Sequence, residues 1–239
     1  MVTFLGGYVV KKFDSCKKAK YFSRLYNSFP NHVKSFTFRN FLIYRYSKGE
    51  TLEKLILSKK DISEVMINLS KKMNSIHFNN YKIIKNYKQV CLDRELYKKK
   101  RNFKDCYSYY SVIHGDLNPR NIIIDEEKIT FIDRLSEKGD IMFDFTFIIN
   151  MLCIKYTNND KSQIKYIKIF FENYLKGIKN KTNFYDAFTN NIFNYLYFIY
   201  YSNYYKSLPF EEWKEIPRIM IDLEKSKNFE EFLDKNNLI

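Results

Sequence analysis

The sequence predicts an α+β fold of two lobes, a small β-rich one at residues 1–46 and a larger, mainly helical one at residues 47–239. Three observations predict it. The first 46 residues hold short β-prone runs around one helical stretch, the pattern switches to helical spacing from Asp61, and a polar loop at residues 114–121 lies between short apolar runs. A small β lobe followed by a helical one places a ligand cleft between them. No Gly/Pro/Ser-rich linker, internal repeat or composition break divides the 239 residues, so residues 1–239 are expected to form a single domain.

The elements follow in order. Runs at residues 2–5 and 8–13 flank Gly6-Gly7, and two β-prone runs separated by two glycines predict a hairpin. A helix over 16–28 ends before Pro30, because the residue preceding a proline disfavours helical backbone. Strands follow near 33–38 and 41–46. Ile62, Val65, Met66, Leu69, Met73 and Ile76 recur at three- and four-residue intervals, and Asp61 with Glu64 resembles a capping box. A Lys-rich polar stretch runs to about 110, then short strands at 111–113, 122–124 and 128–132, then several aromatic-rich helices over 140–235. Residues 141–154 are apolar nearly all round, so that helix should be buried, and Asp144 within it needs partners, for which the backbone N–H groups of the polar loop are the candidates.

A net charge of +14 invites a nucleic-acid or membrane-surface reading. Only two alanines against 21 Tyr, 22 Phe and many Lys, Asn and Ile point instead to A/T-rich codon usage as the source, and a nucleic-acid partner is not expected. The densest cluster, Lys98-Lys99-Lys100-Arg101, falls in the polar connecting stretch. Four cysteines at 16, 91, 106 and 153 show no CxxC spacing, and His32, His77 and His114 form no metal-ligand cluster, which predicts a reduced, cytoplasmic setting. No signal peptide is evident at the start, and the uncharged stretch from Ala187 to Tyr205 is interrupted by six polar side chains, so an aromatic core helix is expected there rather than a membrane span.

The informative segment runs from Val112 to Asp125 and on to Asp133. Apolar strands bracket a loop containing Asp116 and Asn121, and the next strand delivers Asp133 twelve residues after Asn121. Magnesium takes hard oxygen ligands and usually only one or two from protein, and Asn121 with Asp133 suit it in type and number. Phosphoryl transfer needs a carboxylate to orient and deprotonate the attacking hydroxyl, a task for which Asp116 is suited. His114 is expected to be a structural residue that hydrogen-bonds the loop rather than a proton carrier.

The run His114-Gly115-Asp116-Leu117-Asn118-Pro119-Arg120-Asn121, with Ile132-Asp133 and Gly139-Asp140 through Asp144, resembles the aminoglycoside phosphotransferase and choline kinase group of protein-kinase-like enzymes. The resemblance implies ATP and magnesium as cofactors, Asp116 as catalytic base, Asn121 and Asp133 as metal ligands, and Asp144 as a structural carboxylate. More weakly, over about the first 155 residues, it implies Lys11 in the strand Tyr8–Phe13 as the contact to the nucleotide phosphates, backbone near Tyr46 as the meeting point with adenine, and Ser75-Ile76-His77 as the end of the first long helix of the larger lobe.

This sequence departs from the pattern twice. The first glutamate is Glu50, so the helix over 16–28 cannot supply the acid that usually pairs the phosphate-binding lysine. Ten residues precede Lys11, too few for two strands and a glycine-rich loop over the phosphates, which implies a truncated start or a reduced lobe. The acceptor is expected to be a small-molecule hydroxyl such as that of an aminoglycoside, choline or a sugar. Gly139-Asp140 follows only six residues after Asp133, no Ala-Pro-Glu element exists, and Asn118 stands where the usual protein kinases carry lysine. Glu211, Glu212 and Glu215 are available to a cationic acceptor, or serve the helix dipole after Pro209. A non-catalytic nucleotide-binding module and an atypical or RNA-associated protein kinase remain as alternatives.

Overall fold

A computed structural model describes residues 2–79, 81–84, 107–149 and 164–178, together with Phe184, Ala187, Phe188, Asn191 and Tyr195. It has the two-lobed α+β architecture. The first lobe is an antiparallel sheet of β1 (Val2–Leu5), β2 (Tyr8–Lys12), β3 (Ser35–Phe38) and β4 (Phe41–Arg45) in the order β1-β2-β4-β3, with helix α1 (Cys16–Asn27) packed on one face. Gly6 and Gly7 both take positive φ, 53° and 82°, and close the predicted hairpin, pairing Leu5 with Tyr8.

Helix α1 begins where Ser15 accepts the Lys18 amide at 3.2 Å and ends at Ser28, two residues before Pro30. It buries Ala19, Ser23, Leu25 and Tyr26, and the small-lobe core gathers Leu25, Tyr26, Val9, Val33, Leu42 and Tyr44.

The second lobe opens with β5 (Glu50–Thr51) and α2 (Leu52–Leu57), which short-range patterning did not reveal. Gly49, at φ 109°, precedes them because a Cβ there would lie 2.2 Å from the Ile124 carbonyl oxygen. The periodic helix, α3 (Ser63–Phe78), is present with Met66, Leu69, Met73 and Ile76 buried. Its start is not a capping box: Ile62 is the N-cap, with no side-chain cap bond, and Asp61 instead accepts the Ser63 amide and hydroxyl at 3.0 and 2.6 Å. The helix starts one residue later than the box requires, which puts Asp61 just before the cap, where it holds the first helical residue instead of the third.

Two small sheets follow. One orders β10 (Lys138–Asp140), β7 (Ser108–Val112) and β6 (Lys82–Ile84); the other orders β5, β8 (Ile122–Asp125) and β9 (Lys128–Phe131). Helices α4 (Ile141–Ile149) and α5 (Ile164–Leu175) complete the described part, and α5 packs on α3. Phe145 sits in an aromatic core, its ring 4.6 Å from that of Tyr174 and 5.8 Å from that of Phe170. Two main-chain bonds tie the lobes: Phe131 donates to Asn31 at 3.0 Å and Val33 donates to Phe131 at 3.1 Å.

No described helix is long and apolar enough to cross a membrane. The basic cluster at 98–101, Cys91, Cys106, Cys153, Glu211, Glu212, Glu215 and most of the stretch at 187–205 lie outside the described residues.

Candidate active site

The polar loop is shaped locally. Asn118 accepts the Arg120 amide through its side chain at 3.2 Å, Pro119 occupies the first position of a 3-10 turn where no N–H is needed, and the Asn121 amide closes the turn on the Asn118 carbonyl at 2.7 Å. Arg120 donates from Nε to both oxygens of Glu53 at 2.8 and 3.0 Å, holding the loop against α2. Asn121 then donates its amide nitrogen to the Asp116 backbone carbonyl and to Asp116 Oδ2, at 2.9 and 3.0 Å. With the nitrogen so engaged, the oxygen, the atom with metal-ligand chemistry, is the opposite corner of the amide.

Asp133 follows strand β9 in the left-handed region, φ 59°, a backbone state of appreciable cost for a residue with a Cβ. Bonds on both sides hold it. The Ile132 amide donates to Asn121 O at 2.9 Å and the Leu135 amide to His114 O at 3.0 Å. From the small lobe, Lys11 forms an ion pair with Asp133 Oδ1, and the hydroxyls of Tyr26 and Tyr44 donate to the same oxygen at 3.1 and 3.4 Å. Burial and the nearby Asp133 charge push both phenols well above their ordinary value, so both remain donors.

Asp144 performs the task expected of a buried carboxylate. Wholly buried on α4, it accepts the His114 amide at 2.7 Å on Oδ2 and the Gly115 amide at 2.8 Å on Oδ1. His77 Nε2 donates to it at 3.3 Å while His77 Nδ1 lies 2.9 Å from the Tyr174 hydroxyl. Gly115 is required: φ is 80°, and a Cβ would stand 2.6 Å from that of Ser136.

His114 donates from Nε2 to the Ile132 carbonyl at 2.8 Å, and burial holds its pKa down at about 4, so it is neutral near pH 7 and braces the loop. Asp116 moves the other way. Burial raises its carboxyl to about 6, with the charges of Asp133 and Asp144 adding and the Asn121 bond opposing. A carboxylate of that pKa is a competent base near neutral pH.

Of the residues singled out from the sequence, Lys11 and Asp133 meet, as do Asn121 and Asp116. Tyr46 stands apart: it is 52% exposed, its amide donates to Gly7 O at 2.8 Å, and its ring lies edge-on to Phe4 with centroids 6.0 Å apart. Its amide is therefore engaged within the protein. Asp133 and Asn121 offer oxygen atoms, the donor type that a hard divalent cation takes. One carboxylate oxygen of Asp133 already draws an ammonium and two hydroxyl protons, the attraction a small cation would meet, and no group of three or more His, Cys, Asp or Glu that could hold a metal ion by themselves occurs among the described residues.

No family model matches the chain, and no curated protein matches it. Solved structures do. A choline/ethanolamine kinase family protein from Mesorhizobium loti matches with a TM-score of 0.60 at 11% identity, over 98% of this chain and 87% of that one. A Plasmodium vivax ethanolamine kinase matches at 0.57 and 12% identity, over 100% of this chain and 79% of that one. The streptomycin–ATP–APH(2")-IIa ternary complex matches at 0.50 and 13% identity, over 82% of each chain. The likeness is one of fold. The chain has the two-lobed fold of these solved structures.

Sequence reasoning missed Arg134, Tyr26, Tyr44 and His32. Arg134, 1% exposed, donates from Nε to Ile113 O at 2.9 Å, from Nη1 to Leu25 O and Ser28 Oγ at 2.9 Å each, and from Nη2 to Glu137 O at 2.6 Å. Burial lowers its pKa to about 10, which leaves it charged, and its guanidinium stacks 4.5 Å over the Phe29 ring. His32 donates from Nδ1 to Val33 O at 3.0 Å and accepts the Arg134 amide on Nε2 at 3.4 Å. Arginine directly after the second-strand aspartate was the one available signal for this network. The tyrosines had none, being two among 21.

Proposed function

We propose that the chain is a magnesium- and ATP-dependent phosphotransferase that moves the γ-phosphoryl group of ATP to a hydroxyl of a small molecule. It acts as one kinase-like domain, with lobes at 1–46 and 47–239, in the cytoplasm. The observation that carries the reading is the meeting of Lys11 with Asp133 beside the Asp116–Asn121 pair. The Ile132 amide, next to Asp133, donates to the Asn121 carbonyl and so sets the two pairs, from β2, the polar loop and the end of β9, beside each other.

In this reading Asp133 and Asn121 contribute oxygen ligands, and bound magnesium with ATP supplies the transferable phosphoryl group with its charge neutralised. Lys11 exchanges Asp133 for phosphate oxygens. Tyr46, whose amide is taken by Gly7, offers adenine its carbonyl oxygen and ring. Asp116 orients the acceptor hydroxyl; as the oxygen–phosphorus bond forms and the bond to ADP breaks, the hydroxyl proton passes to the Asp116 carboxylate and then to water. The raised pKa of Asp116, about 6, favours that acceptance and still lets the proton pass to water near pH 7.

The choline/ethanolamine kinases and the streptomycin complex among the fold relatives make ethanolamine, choline and aminoglycosides the first acceptors to try. The test incubates the protein with magnesium, γ-labelled ATP and each acceptor, alongside Asp116→Asn and Asp133→Ala. Transfer by the wild type and none by the variants is expected. A wild-type protein that neither transfers nor releases label under any of these conditions rules the reading out.

A further inference from the structure

We propose that Tyr26 is a positioning residue for Asp133, giving helix α1, through a hydroxyl, the tie to the phosphate- and metal-binding pair that an acidic side chain would otherwise provide. The inference rests on the phosphotransfer reading above. Helix α1 spans Cys16–Asn27 without one acidic residue, so no carboxylate on it can meet Lys11. The lysine turns to Asp133 instead. Tyr26, 2% exposed, reaches from the last turn of α1 to Asp133 Oδ1 at 3.1 Å. It is the polar side chain of that helix that touches the pair.

Its placement is fixed from several sides. The Tyr26 ring lies 4.2 Å from the His32 imidazole and 5.9 Å from the Tyr44 ring. The neighbouring residue, Leu25, gives its carbonyl oxygen to Arg134, and Arg134 follows Asp133 directly in the chain. The end of α1 is therefore held at adjacent points: a hydroxyl grips the Asp133 side chain and a carbonyl receives the Arg134 side chain. Together they fix the aspartate in its left-handed backbone and keep one oxygen occupied, so the carboxylate keeps its orientation when Lys11 leaves for the phosphates.

A hydroxyl suits this task where a carboxylate would not. A glutamate beside Asp133 would set two negative charges together once the lysine moved away, whereas a phenol adds no charge and donates in either state. The role is that of a guide for Asp133, and no contact of Tyr26 with substrate is implied.

The test measures ATP affinity of the full chain by calorimetry with magnesium and again in EDTA, for wild type, Tyr26→Phe and Tyr44→Phe. The quantity read is the gain in affinity that magnesium confers. Tyr26→Phe is expected to lose about tenfold of that gain, the worth of a hydrogen bond to a charged group, with a melting temperature lowered only by the loss of that one bond and an affinity in EDTA close to wild type. Tyr44→Phe, whose hydroxyl lies at 3.4 Å, is expected to lose less. Should the phenylalanine form fold poorly, Tyr26→Met fills the same apolar space without a hydroxyl and is read in its place. A wild-type gain that Tyr26→Phe keeps in full, or an equal loss in both variants, overturns the role of Tyr26 alone. A wild type with no magnesium-dependent gain removes the phosphotransfer reading and this inference together.

Discussion

Arg134 donates its Nη1 to the carbonyl oxygen of Leu25 at 2.9 Å, joining residues 109 positions apart in the sequence. The same side chain serves the carbonyls of Ile113 and Glu137, so one buried cation satisfies three main-chain acceptors from three segments. Arg134→Met should strand those carbonyls and cost roughly 3–5 kcal/mol, the range for breaking a buried charged network. Urea unfolding reads this as a lower midpoint with an unchanged slope, and Arg134→Lys should recover only part of the loss.

Asp116 sets a stability against an activity. Its folded pKa, about 6, lies above the ordinary carboxylate value, so the folded form binds the proton more tightly and stability falls as pH rises from about 4 to about 6. Asp116→Asn should therefore be more stable than wild type at pH 7, by on the order of 1–3 kcal/mol, with the gain shrinking to nothing near pH 4. Turnover, by contrast, should be lost. In the wild type, kcat/KM should climb as pH rises through about 6. Thermal melts and initial rates across pH 4–8 check both halves.

Two of the three buried histidines, His32 and His114, act in the sense opposite to Asp116 at acid pH. Burial lowers His32 to about 3 and His114 to about 4. Their folded pKa values lie below the unfolded one, so the stability they contribute is whole above about pH 6.5 and is lost as pH falls toward 4, because the unfolded chain takes up protons first. In the Asp116→Asn background, where the aspartate no longer offsets it, this decline should appear plainly in melting temperature between pH 6.5 and 4.

Asp144→Leu should orphan the His114 and Gly115 amides and the His77 ring inside the core. A cost of about 3–5 kcal/mol is expected. Asp144→Asn, which keeps one acceptor oxygen, should cost less. Differential calorimetry ranks the two, and an Asp144→Leu protein as stable as wild type would contradict the bonding described.

Gly115→Ala should destabilise by about 2 kcal/mol or more, since the substitution adds both left-handed strain and a contact with Ser136. A smaller loss in chemical denaturation would mean that the loop shifts cheaply.

Much of the fold was readable from local chemistry. The Gly6-Gly7 hairpin, the helix ending before Pro30 and the apolar spacing of α3 each follow from one short-range rule, and each is present at nearly the expected bounds. The polar loop was legible because its residues are adjacent, and the buried need of Asp144 pointed correctly to the loop amides. What escaped depends on distance along the chain. Strand β5 has two residues and exists because β8 is there to pair with it. Tyr26 and Arg134 look like any helix tyrosine or loop arginine until folding brings residues 107 and 109 positions apart together. The supposed capping box failed for the opposite reason: a local pattern matched, but the helix started one residue later than it required.

The paired main-chain bonds of Phe131 to Asn31 and Val33 have a mechanical consequence. They act as a stitched seam between the loop after α1 and the end of β9. Together with the Arg134 bonds to Leu25 and Ser28, they anchor the chain on both sides of Asp133 to the end of α1 and the loop after it, so that the aspartate is located by main chain as well as by side chain.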